Sequence, residues 1–310
     1  MSNRKFQELN LSDNFLFPAA LEDPITCRLV LECIIEEKIG ELEVKVEYTK
    51  KYNSEFKYIR LDVYAKDFVT KLSYNLEMQN KDEHNLPLRS RYYQAQIDIG
   101  NLKPGEDYRN LKPVYVIFIC NFDPFNQELY RYTFSMQCEE KSLMLNDGAK
   151  RIFLSTKGKN EKEVPKLLLD FLGYLNDSTD EYVEHNVNEK IKELHGRIKE
   201  MKKNRDVEAR YMHYLYVDKL IEAKEKEAEE AKKNAEEAKK NAEEAKKDAE
   251  EAIKILSDIV LETVKNFDVF SEAIGERIKN EKNVKVLKLI CEIAIKSDSV
   301  EQFENQIANL

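Results

Sequence analysis

Asp62, Glu77 and Gln79 are the residues of this chain whose types and spacing could do chemistry. Hydrolysis of a phosphodiester is assisted by a hard divalent cation beside the scissile phosphate, and the carboxylate oxygens of Asp and Glu suit Mg2+. Fourteen residues lie between Asp62 and Glu77, a separation that two strands and a turn can close. Glu77 and Gln79 are two apart, so on a strand they project to the same side and can offer a metal ligand and a water-positioning group together. Spacing alone does not separate this from carboxylates on a solvated sheet face, the commoner reason for such a pattern.

The elements around these residues are legible from periodicity. From Leu42 to Gln79 the apolar period is two: GELEVKVEY alternates, YIRLDVYAKDF puts Ile59, Leu61, Val63 and Ala65 on one face, and SYNLEMQN puts Leu76 and Met78 opposite Asn75, Glu77 and Gln79. The polar stretch Lys66 to Lys71 has the length of a hairpin connection, without an Asn-Gly or Asp-Gly turn. Ahead of them, Asp23-Pro24 reads as an N-cap followed by proline at the first helical position, opening a helix to about Lys38 that carries Glu32 and Glu36 one turn apart. LSDNFLFPAAL reads as an apolar arm packing under the core. Leu88 to Ile99 reads as an amphipathic helix, and PVYVIFIC, apolar on both faces, as a central strand covered on two sides. TFSMQ and RIFLST can add strands, and VPKLLLDFLGYL closes the domain as a helix. The predicted class is α/β, a mixed central sheet flanked by helices.

Beyond about Asp180 the chain turns helical and charged. Ala228, Ala231, Ala235, Ala238, Ala242, Ala245, Ala249 and Ala252 recur at alternating steps of three and four, a heptad rhythm in AEEAKKN units. No Gly or Pro interrupts Arg197 through Ile274, which reads as one long helix. The expected organisation is a catalytic domain over 1–180, a charged helical extension over 181–219, a heptad-repeat helix over 220–252 and a small helical unit over 253–310.

RLDVYAKD, LEMQN, NLPLRSRYYQAQID, YVIFICNFDPF and IFLSTKG, in that order, resemble the recombination-promoting nucleases, also called PD-(D/E)xK family transposases. The likeness runs over roughly residues 5 to 215, including LSDNFLFPAAL, LECII and RDVEARYM. It implies a restriction-endonuclease-like core that cuts double-stranded DNA with Mg2+. Carried over by motif, Asp62 and Glu77 are the implied metal-binding pair, and Gln79 stands where the wider superfamily has the lysine of ExK. That lysine would supply a cation against charge developing at phosphorus. Lys81 has the same parity and could supply it if the strand runs that far; as a loop lysine it would be solvated. Gln79→Lys is expected to retain or raise activity. Glu32 resembles the helix glutamate that completes the metal site, and Arg89, Arg91 and Tyr92 the helix that holds phosphates. The chain departs from the family pattern at KYIRLDVY, where Tyr58 and Ile59 replace a Lys-Gly-Val-Arg style start.

Composition bounds the remaining classes. A net charge of -9 disfavours a protein that coats nucleic acid, though it suits a metal-binding centre ringed by local basic groups. Five cysteines without CxxC spacing read as reduced core thiols of a cytoplasmic protein, and no stretch nears the roughly 20 apolar residues of a membrane span. His84, His185, His195 and His213 lack metal-ligand spacing, and no phosphate-cradling glycine motif is present. The function expected is hydrolysis of DNA in recombination or mobile-element biology. The alternative is a module on the same fold that binds DNA or a partner without cutting. A homodimer through the C-terminal helices is the expected assembly.

Overall fold

The computed structural model describes residues 5–50, 59–185, 187–264 and 272–308. The departure noted at Tyr58 therefore lies outside the described residues. The chain divides into two compact units, Met1–Val217 and Asp218–Leu310.

In the first unit, the apolar arm forms α1 (Leu16–Leu21), where Asp13 accepts the backbone N–H groups of Phe15 and Leu16. α2 (Pro24–Ile35) starts at Asp23, whose carboxylate accepts the Thr26 N–H, and stops where Glu36 turns left-handed at φ 64°. The helix is thus shorter than the sequence suggests, and Glu36 lies past its end. Strands β1 (Leu42–Lys50), β2 (Ile59–Asp67) and β3 (Ser73–Gln79) form an antiparallel meander. Its second turn is closed by Asp67, which accepts from Val69 and Thr70, with Lys71 at φ 61°. An aspartate and one left-handed residue do here what an Asn-Gly pair does elsewhere.

α3 (Leu86–Asn101) crosses from β3 to the parallel strand β4 (Val114–Cys120), and β5 (Arg131–Phe134) and β6 (Ala149–Ser155) complete the sheet. Among the described residues the sheet is six-stranded and mixed, in the order β1-β2-β3-β4-β6-β5. α4 (Lys166–Asn176), α5 (Asp180–Glu184) and α6 (Glu189–Lys202) follow. α1, α2, α4 and α6 pack with Leu76, Met78, Ile117 and Ile119 into the core on one face of the sheet. Leu86, Tyr93 and Ile97 of α3 pack on Val116, Phe118 and Phe153 on the other. The alternation of β3 therefore sends Leu76 and Met78 to the first face and Asn75, Glu77 and Gln79 toward α3.

One expectation fails on β2. Ile59 and Leu61 join the core on the α3 side while Val63 and Ala65 join the other, although all four share a parity. The break falls at Asp62. β1 pairs Val46 with Val63 and Tyr48 with Leu61, leaving Glu47 between them in a left-handed conformation at φ 48°. A non-glycine residue there costs about 1–3 kcal/mol, so a local twist is being enforced.

The helix read as continuous from Arg197 is also divided. α6 ends at Lys202, and Asn204 accepts the Asp206 N–H to start α7 (Arg205–Val264). An asparagine N-cap interrupts a helix without glycine or proline because its side chain competes for backbone donors. The first turns of α7 add Val207, Tyr211, Tyr214 and Leu215 to the first unit's core, where the rings of Tyr211 and Tyr214 pack tilted against Phe15.

Across the Ala-Glu-Lys repeat, residues 221–250 of α7 are exposed. In the second unit, the end of α7 packs Val260 and Val264 with α8 (Glu272–Asn280), α9 (Val284–Lys296) and α10 (Val300–Ile307) around Ile278, Leu287, Ile290 and Phe303. Among the described residues no helix is long and apolar enough to cross a membrane.

Candidate active site

The register of β2 on β3 runs from Lys66↔Ser73 to Val63↔Leu76 and stops there. One step further, the ladder bonds are replaced by side chains. The Asp62 N–H donates to Glu77 Oε1 at 3.2 Å, and the Met78 N–H donates to Asp62 Oδ2 at 3.1 Å. Each carboxylate thus caps the other strand's backbone, and the strands are held apart around two acids. Both N–H groups are satisfied, as buried backbone donors must be.

Glu77 is fully buried and Asp62 half-buried. Burial, and then the Asp62 charge beside it, push the Glu77 carboxyl well above its ordinary range, with Arg89 opposing. Burial also raises Asp62, against the Met78 N–H and the charges of Arg89 and Arg60. Two acids brought together out of water call for a cation.

Arg89 on α3 reaches this centre. Its Nη2 donates to Glu77 Oε2 at 3.0 Å, its Nη1 to Gln79 Oε1 at 3.0 Å and its Nε to Tyr93 Oη at 2.9 Å. The guanidinium lies 5.2 Å and 5.5 Å from the ring centroids of Tyr93 and Phe118. Burial pushes the Tyr93 phenol up to about 12, so at neutral pH it stays an un-ionised hydroxyl. Gln79 is buried, and its Nε2 donates to the Met78 carbonyl, which fixes Oε1 as the atom facing Arg89. Asn75, fully buried on the same face, has no partner of good geometry for either amide atom among the described residues.

The other residues singled out by sequence fall elsewhere. Glu32 accepts the Ile39 N–H and pairs with Lys190 of α6 at 2.5 Å. α2 covers the sheet face opposite α3, so the structure does not bring Glu32 to Asp62 and Glu77. Lys81 is exposed beyond the end of β3 at Gln79, which removes the condition on which it shared the face of Glu77. Arg91 and Tyr92 are exposed on α3. With Ile59, Asn85, Leu88 and Arg89 they line a groove of about 830 Å³ that opens beside the carboxylates' arginine. Sequence reasoning passed over Tyr93 in favour of its neighbour. The available signal was spacing, since Arg89 and Tyr93 are i and i+4 on α3 and can meet side chain to side chain.

The donor set can be tested against a metal. Among the described residues no three His, Cys, Asp or Glu side chains form a metal-binding group. Mg2+ is ordinarily held by one or two carboxylates, with waters and substrate phosphate completing its shell. Asp62 and Glu77, hard oxygen donors in a site short of positive charge, fit such an ion.

Searches of curated proteins and of solved structures return no match. A family model described as PD-(D/E)XK nuclease family transposase matches residues 15–266. Nucleases of this kind typically use divalent metal ions, and membership gives a nuclease-like or transposase-associated role. The match takes in the mixed sheet with its splayed strands, the helices on both faces and the long helix, and by it the chain belongs to the PD-(D/E)XK nuclease family transposases.

Proposed function

We propose that the chain is an Mg2+-dependent DNA endonuclease of the cytoplasm, acting on double-stranded DNA in recombination or mobile-element biology. The observation that carries this reading is the pair of carboxylates held in the gap between β2 and β3, each bonded to the opposite strand. Asp62 and Glu77 would hold the ion, which when bound supplies Lewis-acid polarisation of the phosphate and a water of lowered pKa. The residues do the positioning. The splayed strands fix the carboxylates before substrate arrives, and the groove along α3 offers Arg91 for phosphate and Tyr92 for sugar or base. Attack by the water oxygen forms one P–O bond and breaks another. The water proton passes to solvent and the leaving sugar oxygen takes a proton, giving one phosphomonoester end and one hydroxyl end.

A second reading, DNA or partner binding without cleavage, draws on Gln79 in place of the superfamily lysine and on Arg89 already paired with Glu77. Incubation of the purified full chain with supercoiled plasmid in Mg2+, Ca2+ or EDTA separates the two. Relaxed or linear product with Mg2+ alone supports the nuclease. Retarded but intact plasmid in all three supports the binder.

A further inference from the structure

We infer that Arg89 is the catalytic cation of this site, standing in from α3 for the lysine that Gln79 replaces, and that Gln79 is the residue that positions it. The inference rests on the nuclease reading and deepens it.

The geometry is specific. Glu77 and Gln79 alternate on β3 so that both face α3, and one guanidinium spans them, Nη2 on Glu77 Oε2 and Nη1 on Gln79 Oε1, each at 3.0 Å. The planar fork presents two parallel N–H groups to two acceptors two residues apart on a strand, a fixed geometry that an ammonium lacks. Tyr93 Oη takes the Nε–H, and the rings of Tyr93 and Phe118 lie against the guanidinium. Among the described residues, three of its five N–H groups are used in this way, leaving two for another acceptor. The side chain keeps 25% of its surface exposed, and it lines the groove that runs past Arg91 and Tyr92. A phosphate oxygen entering from that groove meets the unused N–H groups beside the two carboxylates. There the guanidinium donates to the non-bridging oxygen whose charge grows as the water oxygen adds and the sugar oxygen leaves.

This assigns Gln79 a role that a lysine could not share. An amide oxygen holds Arg89 without charge, whereas a lysine in its place would set an ammonium against the guanidinium. The expectation that Gln79→Lys retains or raises activity therefore reverses while Arg89 is present.

The test is a transplant of the charge, using plasmid cleavage and Mn2+ binding by the full chain, with folding checked by melting and circular dichroism. Arg89→Gln is expected to lower the cleavage rate about 100-fold or more, and Gln79→Lys alone to lower it as well. The combined Gln79→Lys/Arg89→Gln variant, with its single cation moved to β3, should recover to within about tenfold of the parent. Mn2+ should bind Arg89→Gln about tenfold more tightly, because a cation that competes for Glu77 has gone. A merely structural arginine does not predict the rescue. If Arg89→Gln misfolds, Arg89→Lys replaces it, with loss of rate and unchanged Mn2+ affinity expected. A folded Arg89→Gln that cuts like the parent, or a folded double variant as inactive as Arg89→Gln, overturns the inference and leaves the nuclease reading standing. A parent that cuts no DNA with any metal overturns that reading and the role of Arg89 with it.

Discussion

Replacing Glu77 by glutamine should make the first unit more stable and destroy its chemistry, and the size of the effect follows from where the carboxylate sits. Glu77 is fully buried against Asp62, and burial and that neighbour together raise it despite Arg89. An acid raised in the folded state stabilises fully below its unfolded value, and that contribution is lost as pH rises toward the folded value. At pH 7 the loss is bounded by the full linkage between the ordinary glutamate value and neutrality, on the order of 3 kcal/mol. Glutamine is uncharged throughout and escapes this loss. Its single oxygen can accept from Arg89 or from the Asp62 N–H but not from both, which returns about 1 kcal/mol or more. The net gain at pH 7 is therefore at most about 2 kcal/mol, an upward shift of no more than roughly 4–8 °C for a unit of this size. The assay is thermal unfolding of parent and variant in EDTA from pH 4.5 to 7.5. The difference should grow by up to about 1.4 kcal/mol per pH unit from the acid end until the folded value is passed. Equal stability at pH 7, or a difference flat across the range, would refute this account of the site.

Other outcomes are equally specific. Asp62→Ala and Glu77→Ala should abolish Mg2+-dependent plasmid cleavage with circular dichroism unchanged, since each removes a hard oxygen ligand; an Asp62→Ala variant that cuts like the parent sinks the proposed mechanism. Phe303→Ala, at a fully buried position, should cost about 3–5 kcal/mol and speed amide exchange in α9 and α10, with exchange in β3 and β4 unaffected. Gly173→Ala should destabilise the first unit by about 1–3 kcal/mol, because an added methyl would collide with the Tyr182 hydroxyl, which itself donates to the Asp170 carbonyl. We propose that any self-association runs through the helical tail from Ile253 to Leu310, so deleting it should lower the mass in solution measured by light scattering. An unchanged oligomeric state rules that out.

Much of this architecture was written locally. Alternation on β3 determined that Glu77 and Gln79 share a face, because side chains alternate along a strand that runs without a break. Continuous apolarity marked β4 as a central strand, Asp23-Pro24 marked the start of α2, and the alanine rhythm marked the long helix. These are properties of neighbouring residues, and the chain states them without folding. The tertiary structure decided what depends on partners distant in sequence. The splay of β2 from β3 at Asp62 is invisible in the alternation of YIRLDVYAKDF, since it arises from a left-handed Glu47 on β1 and from carboxylates exchanging backbone bonds across strands. Glu32 and Arg89 read alike on paper, each a charged residue on a helix. Packing alone placed α2 on one face of the sheet and α3 on the other, and so left Glu32 with Lys190 and gave Arg89 to Glu77. Asn204 ended one helix and began another within a stretch of uniform propensity, because a cap is a competition between a side chain and the backbone that composition does not record.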